Sequence, residues 1–353
     1  VLGFDIGGAN TKAAYVRAEY GKVQRVAVAT EYFPFWKERE KLPEVLASLK
    51  KRLGAETVDA IGVTMTAELS DAYQTKREGV HHILSCVKTV FYNTPIYVLN
   101  TNVEMFSVEE AMQHSLDVAS ANWAATGWLV AQRLKDALVI DVGSTSTSII
   151  PIVNGQVSAK GKTDLDKLIT GELIYTGSLR TNIAAIVQSI PVRAGVASVS
   201  SELFALSGDI HLILGNITST DYTCETADGR GKTVPEALAR IARVICADTD
   251  MLTKQELTEI AQYVYNQQVS QIADGLSRVY GYLKSVVHGQ VPVVVTGLGK
   301  DFLARKAAEQ IGADKVVALD SLLHMQAVLA TPAVGTALMV VSKFTGETIQ
   351  WGL

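Results

Sequence analysis

A strand, an aspartate and a glycine turn occur twice in this chain, and that repeat limits its fold more than any other feature. Residues 4–12 read Phe4-Asp-Ile-Gly-Gly-Ala-Asn-Thr-Lys12, and residues 139–147 read Val139-Ile-Asp-Val-Gly-Ser-Thr-Ser-Thr147. In each copy an apolar run leads to Asp, one apolar residue and Gly, and small hydroxyl or amide residues then open a second apolar run. The pattern predicts a strand, a tight turn and a returning strand, with backbone N–H groups gathered beside one carboxylate. A carboxylate repels a phosphate, so the pair makes sense if a divalent cation lies between them. Asp5 and Asp141 are therefore the expected metal ligands. Gly7, Gly8, Asn10 and Thr11 in the first turn, and Gly143, Ser144 and Thr145 in the second, are the expected phosphate-binding residues. Two such turns predict two similar domains gripping a metal-bound polyphosphate from both sides of a central cleft.

At 353 residues the chain exceeds one ordinary core, which also favours two domains. Basic and acidic residues nearly balance, 32 against 36, with no basic run to hold nucleic acid. No apolar stretch reaches the roughly 18 residues of a membrane span. The opening strand pattern leaves no room for a cleavable leader, so the expected location is cytoplasmic. Cys86, Cys224 and Cys246 lack any CxxC spacing, which suits reduced thiols rather than a zinc site.

Along the chain the expected order is βββαβαβα, then the same again. Strands are expected at 1–6, 11–18, 22–30, 60–64 and 96–99. Helices are expected at 38–53, 74–91 and 107–134, the last with Asp117 as a cap. The second copy starts with strands at 137–142, 145–153 and 156–160, and has helices near 234–247 and 253–288. These place a first domain at 1–136, completed by a C-terminal helix near 332–345, and a second at 137–331. Gly335 is expected to allow close helix packing there.

The two Asp-Gly turns, together with Val295-Thr-Gly-Leu-Gly299, resemble the phosphate and adenosine motifs of the actin, Hsp70 and sugar-kinase superfamily. The Asp5-to-Lys12 spacing resembles the phosphate loop of actin. Three longer segments resemble the hydantoinase/oxoprolinase-like group within it. They are Gly62-Val-Thr-Met-Thr-Ala-Glu-Leu-Ser-Asp71, Gly171-Glu-Leu-Ile-Tyr-Thr-Gly-Ser-Leu-Arg-Thr181 and Tyr222-Thr-Cys-Glu-Thr-Ala-Asp-Gly-Arg-Gly-Lys232. More narrowly they look like proteins of tetrahydromethanopterin- and methanofuran-linked one-carbon metabolism. The resemblance implies a two-domain actin-like (ribonuclease H-like) α/β fold. It implies a transferase that joins gamma-glutamyltyramine to an aminomethyl-furanmethanol diphosphate and releases diphosphate. Magnesium or another divalent cation is the implied cofactor. ATP is the alternative occupant, with Gly297 and Gly299 lining a nucleotide-like pocket.

Such a condensation needs a phenol proton removed and the leaving charge neutralised. Lys12 and Arg180 are the cationic candidates, and Arg230 and Lys232 are expected to touch phosphate. Glu68 and Asp71 follow a strand end, where open α/β sheets place ligands, and are the candidate bases. Asp71 is preferred because Glu68 also suits a helix cap, and both also read as solvated loop carboxylates. The alternative reading of Arg180 is an ion-pair lock on its loop, and that of Asp228-Gly229 a plain turn. His81 and His82 cannot share a metal from one helix, His211 reads as surface or core, and Trp123 as packing. A phosphotransferase or ATPase is the alternative function, and a nucleotide-sensing scaffold without turnover a third. The expected partners are the diphosphate ester and the phenolic amine conjugate, with self-association left open.

Overall fold

The computed structural model describes residues 1–349 apart from 21, 324, 347 and 348. The sequence also predicts a turn at Tyr20-Gly21 between the strands at 11–18 and 22–30, and it falls partly outside the described residues. The chain opens with β1 (Leu2–Ile6), β2 (Asn10–Glu19) and β3 (Lys22–Tyr32), then α1 (Phe35–Glu38) and α2 (Leu42–Arg52). Next come β4 (Ile61–Met65), α3 (Lys76–Val90), β5 (Ile96–Leu99) and β6 (Met105–Ser107), then α4 (Val108–Gln113), α5 (Ser115–Val118) and α6 (Asn122–Ala131). The second copy has β7 (Ala137–Val142), β8 (Thr147–Val153), β9 (Gln156–Val157), α7 (Asp164–Thr170) and β10 (Leu173–Ile174). A hairpin of β11 (Ser189–Val192) and β12 (Gly195–Ser198) leads to α8 (Ser207–Ile213), α9 (Val234–Arg243) and α10 (Lys254–Val286). The chain closes with β13 (Val293–Thr296), α11 (Arg305–Gln310), β14 (Val316–Ala318), α12 (Met325–Leu329) and α13 (Thr331–Thr345).

The two main sheets share one plan. The first runs β3-β2-β1-β4-β5-β6, and the second β10-β8-β7-β13-β14 with β9 also on β8. In the first, β1 pairs antiparallel with β2 and parallel with β4. In the second, β7 pairs parallel with β13, which pairs parallel with β14. An antiparallel arm beside parallel strands, made twice, is the duplicated ribonuclease H-like arrangement of actin-like proteins. Every residue of β1, β4 and β13 is buried, as strands covered on both faces require.

Contacts divide the chain into two compact units. The first comprises Val1–Ala137, Ile150–Lys167 and the described part of 319–353; the second comprises Leu138–Ile149 and Leu168–Ala318. In the first unit α2 buries Leu42, Val45, Leu46 and Leu49, a helical i, i+3, i+4, i+7 stripe, and Pro43 sits in its first turn where its missing N–H is harmless. These side chains join Phe4, Ile6, Val63, Met65, Ile83 and Leu84 in one core. In the second, Ile183, Ile190 and Ile210 pack with Ile241, Leu257, Ile260 and Val264.

The last helix, α13, seats on the first sheet through glycines. A Cβ on Gly3 would stand 2.8 Å from the Ala337 nitrogen, and one on Gly62 2.9 Å from Thr336 Cγ2. One on Gly335 would stand 2.7 Å from the Ala125 carbonyl oxygen of α6. Gly3→Ala should therefore destabilise the protein by about 1–3 kcal/mol through overpacking. An unchanged thermal melting curve would show that strand and helix separate without loss.

The expected helix over 107–134 is three pieces. It breaks at His114 and again at 119–121, where Ser120 takes φ +53°, a left-handed conformation no helix continues through. Asp117 lies inside α5 rather than capping a long helix; Ser107 caps α4 through a capping box with Glu110.

Candidate active site

Asp5 ends a fully buried strand. Its register partners are Lys12 on antiparallel β2 and Thr64 on parallel β4, so both stand abreast of it. The Gly7 N–H closes the turn on the Asn10 carbonyl at 3.1 Å. A Cβ on Gly7 would meet that oxygen at 2.7 Å, which is why glycine stands there. The Gly8 and Ala9 carbonyls accept the N–H groups of Phe35 and Phe33, each at 3.0 Å, and pin the turn from behind.

The second turn repeats this. The Gly143 N–H donates to the Ser146 carbonyl at 2.9 Å, and Asp141 on β7 stands abreast of Thr296 on β13. The segment 177–181 forms a collar around the turn. Ser178 N–H donates to Gly143 O, while Leu179 and Arg180 N–H both donate to Ser144 O. A Cβ on Gly177 would lie 2.6 Å from the Thr145 carbonyl carbon, so the collar sits directly on the turn's backbone. Arg180 Nη1 donates to Thr145 Oγ1 at 3.3 Å, which places its guanidinium at the turn.

One expectation changes. The N–H groups of Gly7 and Gly143 are taken by the turns themselves, so they are not phosphate donors. The amides left at the tips belong to Gly8 and Ala9, and to Ser144 and Thr145, none with a protein acceptor among the described residues. Gly297 and Gly299 pack closely on the strand that carries Asp141. Gly297 has φ +85°, and a Cβ there would lie 2.5 Å from Asp141 Oδ1. One on Gly299 would lie 2.5 Å from Val142 Cγ1 and 2.6 Å from Ser178 Oγ. These glycines let the end of β13 close on the aspartate strand.

Thr64 and Thr296 escaped the sequence reading. Both are buried with hydroxyl oxygens that have no hydrogen-bond partner among the described residues, and each matches an aspartate in register. The signal was present: Ala60-Ile-Gly-Val-Thr64 and Pro292-Val-Val-Val-Thr296 are apolar strands that each close on threonine. Buried hydroxyls need partners. Beside an aspartate they suit the water shell of a hard divalent cation, which keeps several waters. Among the described residues no group of three His, Cys, Asp or Glu side chains could hold a metal alone.

Of the candidate bases, Asp71 is exposed and Glu68 is buried in a short turn, Ala67–Leu69, after β4. Glu68 caps no helix, since Thr75 caps α3 by accepting from the Glu78 N–H. Gly79 of α3 presses on it, and a Cβ there would stand 2.6 Å from Glu68 Cα. Ser120 Oγ lies 2.7 Å from Glu68 Oε1 and 2.7 Å from Asp164 Oδ2, and Lys76 Nζ lies 2.6 Å from Asp164 Oδ2. Loss of hydration outweighs the Ser120 hydrogen bond and the Lys76 charge, and pushes the Glu68 carboxyl up to about 7. The folded protein thus holds this proton more tightly than the unfolded chain does. That contribution is full below the ordinary 4.5 and is lost as pH rises through about 7. Its size is about 3 kcal/mol. Glu68→Gln removes it, so the stability of the native sequence relative to this variant should fall by that amount between acid and mildly alkaline pH. Parallel pH dependence in urea titrations would mean that folding leaves the acidity of Glu68 unchanged.

The segment 222–232 is held from within. Arg240, fully buried, places Nη2 2.7 Å from Asp209 Oδ1 and Nη1 3.1 Å from Asp228 Oδ1. Arg243 also reaches Asp228, at 3.2 Å. Asp228 is thus an anchor. Arg230 is exposed, and Lys232 Nζ lies 5.6 Å from the Tyr222 ring centroid. His211 is core: fully buried, hydrogen-bonded to Gln268 and Asn216, and pushed down to about 3 by loss of hydration, so it is neutral. His81 and His82 face different partners, the Met112 carbonyl and the Tyr73 hydroxyl. Trp123 is buried beneath the Lys167 ammonium, 3.7 Å from its ring centroid.

Residues 59–343 match the family described as hydantoinase/oxoprolinase. The chain is 38% identical over 338 residues to the (4-{4-[2-(gamma-L-glutamylamino)ethyl]phenoxymethyl}furan-2-yl)methanamine synthase of Methanocaldococcus jannaschii, covering 96% of each. It is 33% identical over 215 residues to the protein of the same name from Methanococcus vannielii, covering 60% of this chain and 94% of that one. Similar solved structures include a ROK hexokinase from Thermus thermophilus (TM-score 0.45, 14% identity, 98% of this chain and 99% of that one). They also include a nucleotide-free acetone carboxylase (TM-score 0.49, 15% identity, 86% and 46%). Among the described residues no helix is long and apolar enough to cross a membrane.

Proposed function

Because the chain belongs to the hydantoinase/oxoprolinase family, we propose that it is a transferase of methanofuran biosynthesis that joins gamma-glutamyltyramine to an aminomethyl-furanmethanol diphosphate. The observation that carries this reading is 38% identity across 96% of both chains to a synthase whose name contains the phenoxymethyl-furan product. In the reaction a phenol oxygen bonds to the furan methylene carbon, the carbon–oxygen bond to diphosphate breaks, and the phenol proton is lost.

A free phenol has a pKa near ~10, so a base is needed at neutral pH. Glu68, with acidity near 7, is matched to that proton transfer. Lys12, abreast of Asp5, and Arg180, on the second turn, supply positive charge for the leaving diphosphate. The amides of Gly8 and Ala9 and of Ser144 and Thr145 offer it N–H donors. Asp5 and Asp141 are the residues that would hold Mg2+ or another divalent cation, with Thr64 and Thr296 beside them. Such an ion, when bound, neutralises charge on the departing diphosphate. Arg230, exposed and 3.9 Å from Asp228, is the further cation proposed to meet substrate phosphate.

Incubation with both substrates and magnesium should release diphosphate and yield the aryl ether, followed by mass spectrometry. Stoichiometric ADP formation from ATP and an acceptor, with no ether product, would replace this reading by a phosphotransferase.

A further inference from the structure

Around Glu68 the hydrogen-bond geometry does not close with the protons a fully ionised site would contain. Ser120 Oγ is 2.7 Å from Glu68 Oε1 and 2.7 Å from Asp164 Oδ2. Two carboxylate oxygens that close to one hydroxyl oxygen need two protons between them, and a serine hydroxyl has one. Lys76 cannot make up the difference at Glu68. Its ammonium sits 2.6 Å from Asp164 Oδ2 and 3.3 Å from Ser120 Oγ, but 4.0 Å from Glu68 Oε1. The second proton therefore rides on a carboxyl. Asp164 pairs with the Lys76 ammonium at 2.6 Å and is partly solvated, with 20% of its side chain exposed. Glu68 is 1% exposed, and its Oε2 has no partner among the described residues.

We propose that Glu68, Ser120 and Asp164 form a proton relay. Glu68 donates from Oε1 to the Ser120 hydroxyl, the hydroxyl donates to Asp164, and Lys76 holds Asp164 as the anionic outer end. A proton arriving on Oε2 is matched by one leaving Oε1 for Ser120 and one leaving Ser120 for Asp164. Asp164 then releases a proton to water. The transfer leaves the Glu68 proton on Oε2 and the Ser120 hydrogen on the Glu68 side; rotation of the carboxyl and of the hydroxyl resets the relay, and no electron is transferred. Glu68 can in this way take up a proton while neutral. Its free Oε2 is the inner port, and Ser120 and Asp164 are positioning residues that act through it. The groups facing Glu68 are Lys76 of α3, Ser120 of the 119–121 break and Asp164 of α7, and all lie in the first unit. The break itself has a reason here. The left-handed turn at Ser120 (φ +53°) delivers the hydroxyl between two carboxyls that are far apart in sequence.

That the relay serves a phenol proton rests on the proposed condensation; the relay itself can be tested without substrate. The test follows the Glu68 carboxyl stretch by infrared difference spectroscopy on the whole protein in H2O and D2O. A neutral carboxyl band is expected below pH 7 that bleaches as pH rises through 7 and is absent in Glu68→Gln. Exchange to the deuterated acid should be fast in the native protein and at least ~10-fold slower in Ser120→Gly and Asp164→Asn. Glycine suits the left-handed backbone at 120, so Ser120→Gly removes the hydroxyl without strain. No carboxyl titrating near 7, or unchanged exchange in both variants, overturns the relay. With substrates, Ser120→Gly should lower kcat about 100-fold with KM within about twofold, and flatten the kcat–pH limb near 7. Normal turnover in that variant also overturns the relay. A native protein that shows the band and the exchange, yet makes no ether, leaves the relay standing and sinks the condensation reading alone.

Discussion

Arg240→Ala should unfold the protein at markedly lower urea concentration, with a loss of about 3–5 kcal/mol, the range for breaking a buried ion pair from one side. The guanidinium is fully buried, its Nε and Nη2 meet Asp209 Oδ1 at 2.9 and 2.7 Å, and its Nη1 also donates to the Gly231 carbonyl. Burial pushes the Asp209 carboxyl up even with Arg240 beside it. Without Arg240 that carboxyl must bind a proton or stay charged in an apolar setting. Asp228 would lose a partner at the same time, and with it the anchor of the 226–231 loop. Arg240→Lys should recover only part of the loss, because one ammonium cannot replace the fork. Equilibrium unfolding of the three proteins, followed by circular dichroism, checks this. Equal midpoints would mean that Asp209 is satisfied by other groups.

Asp141→Asn should leave the fold nearly intact and lower metal-dependent diphosphate release by more than about 100-fold, beyond what losing a supporting neighbour of a metal ligand does. The turn is closed by the Gly143 N–H on Ser146 O and the Gly299 N–H on Val142 O, bonds that do not use the carboxylate. Asparagine keeps the shape and removes the charge. Turnover assays and calorimetric titration with Mg2+ should fail together. A variant with full activity and unchanged magnesium affinity would put the cation elsewhere.

The fold was legible in the sequence because its strongest signals are local. An apolar run that ends in Asp-x-Gly defines a buried strand and its turn, and helix 42–52 displays its buried stripe outright. The long helix over 107–134 was overread because apolar periodicity continues through Ser120, whose conformation is fixed by distant carboxyls. The candidate site was half legible. Asp5, Asp141 and Arg180 announce themselves by residue type beside glycine. On paper Asp71 is preferred to Glu68, and only the burial of Glu68 by Gly79 and Ser120 sets it apart in the structure. Gly297 and Gly299 resemble a nucleotide motif, and in the structure they also mark a close approach of one backbone to another. The two match the surroundings of Asp141–Val142. Thr64 and Thr296 required the register of two strands to be known together.

The seating of α13 against Gly3, Gly62 and Gly335 has a consequence for biosynthesis. The first unit begins with the first strand, yet the helix that covers β1 and β4 is encoded by residues 331–345. The ribosome releases the long continuous stretch Leu168–Ala318 of the second unit before that helix exists. The half made first therefore keeps a face of its apolar sheet uncovered until residues 331–345 have been made.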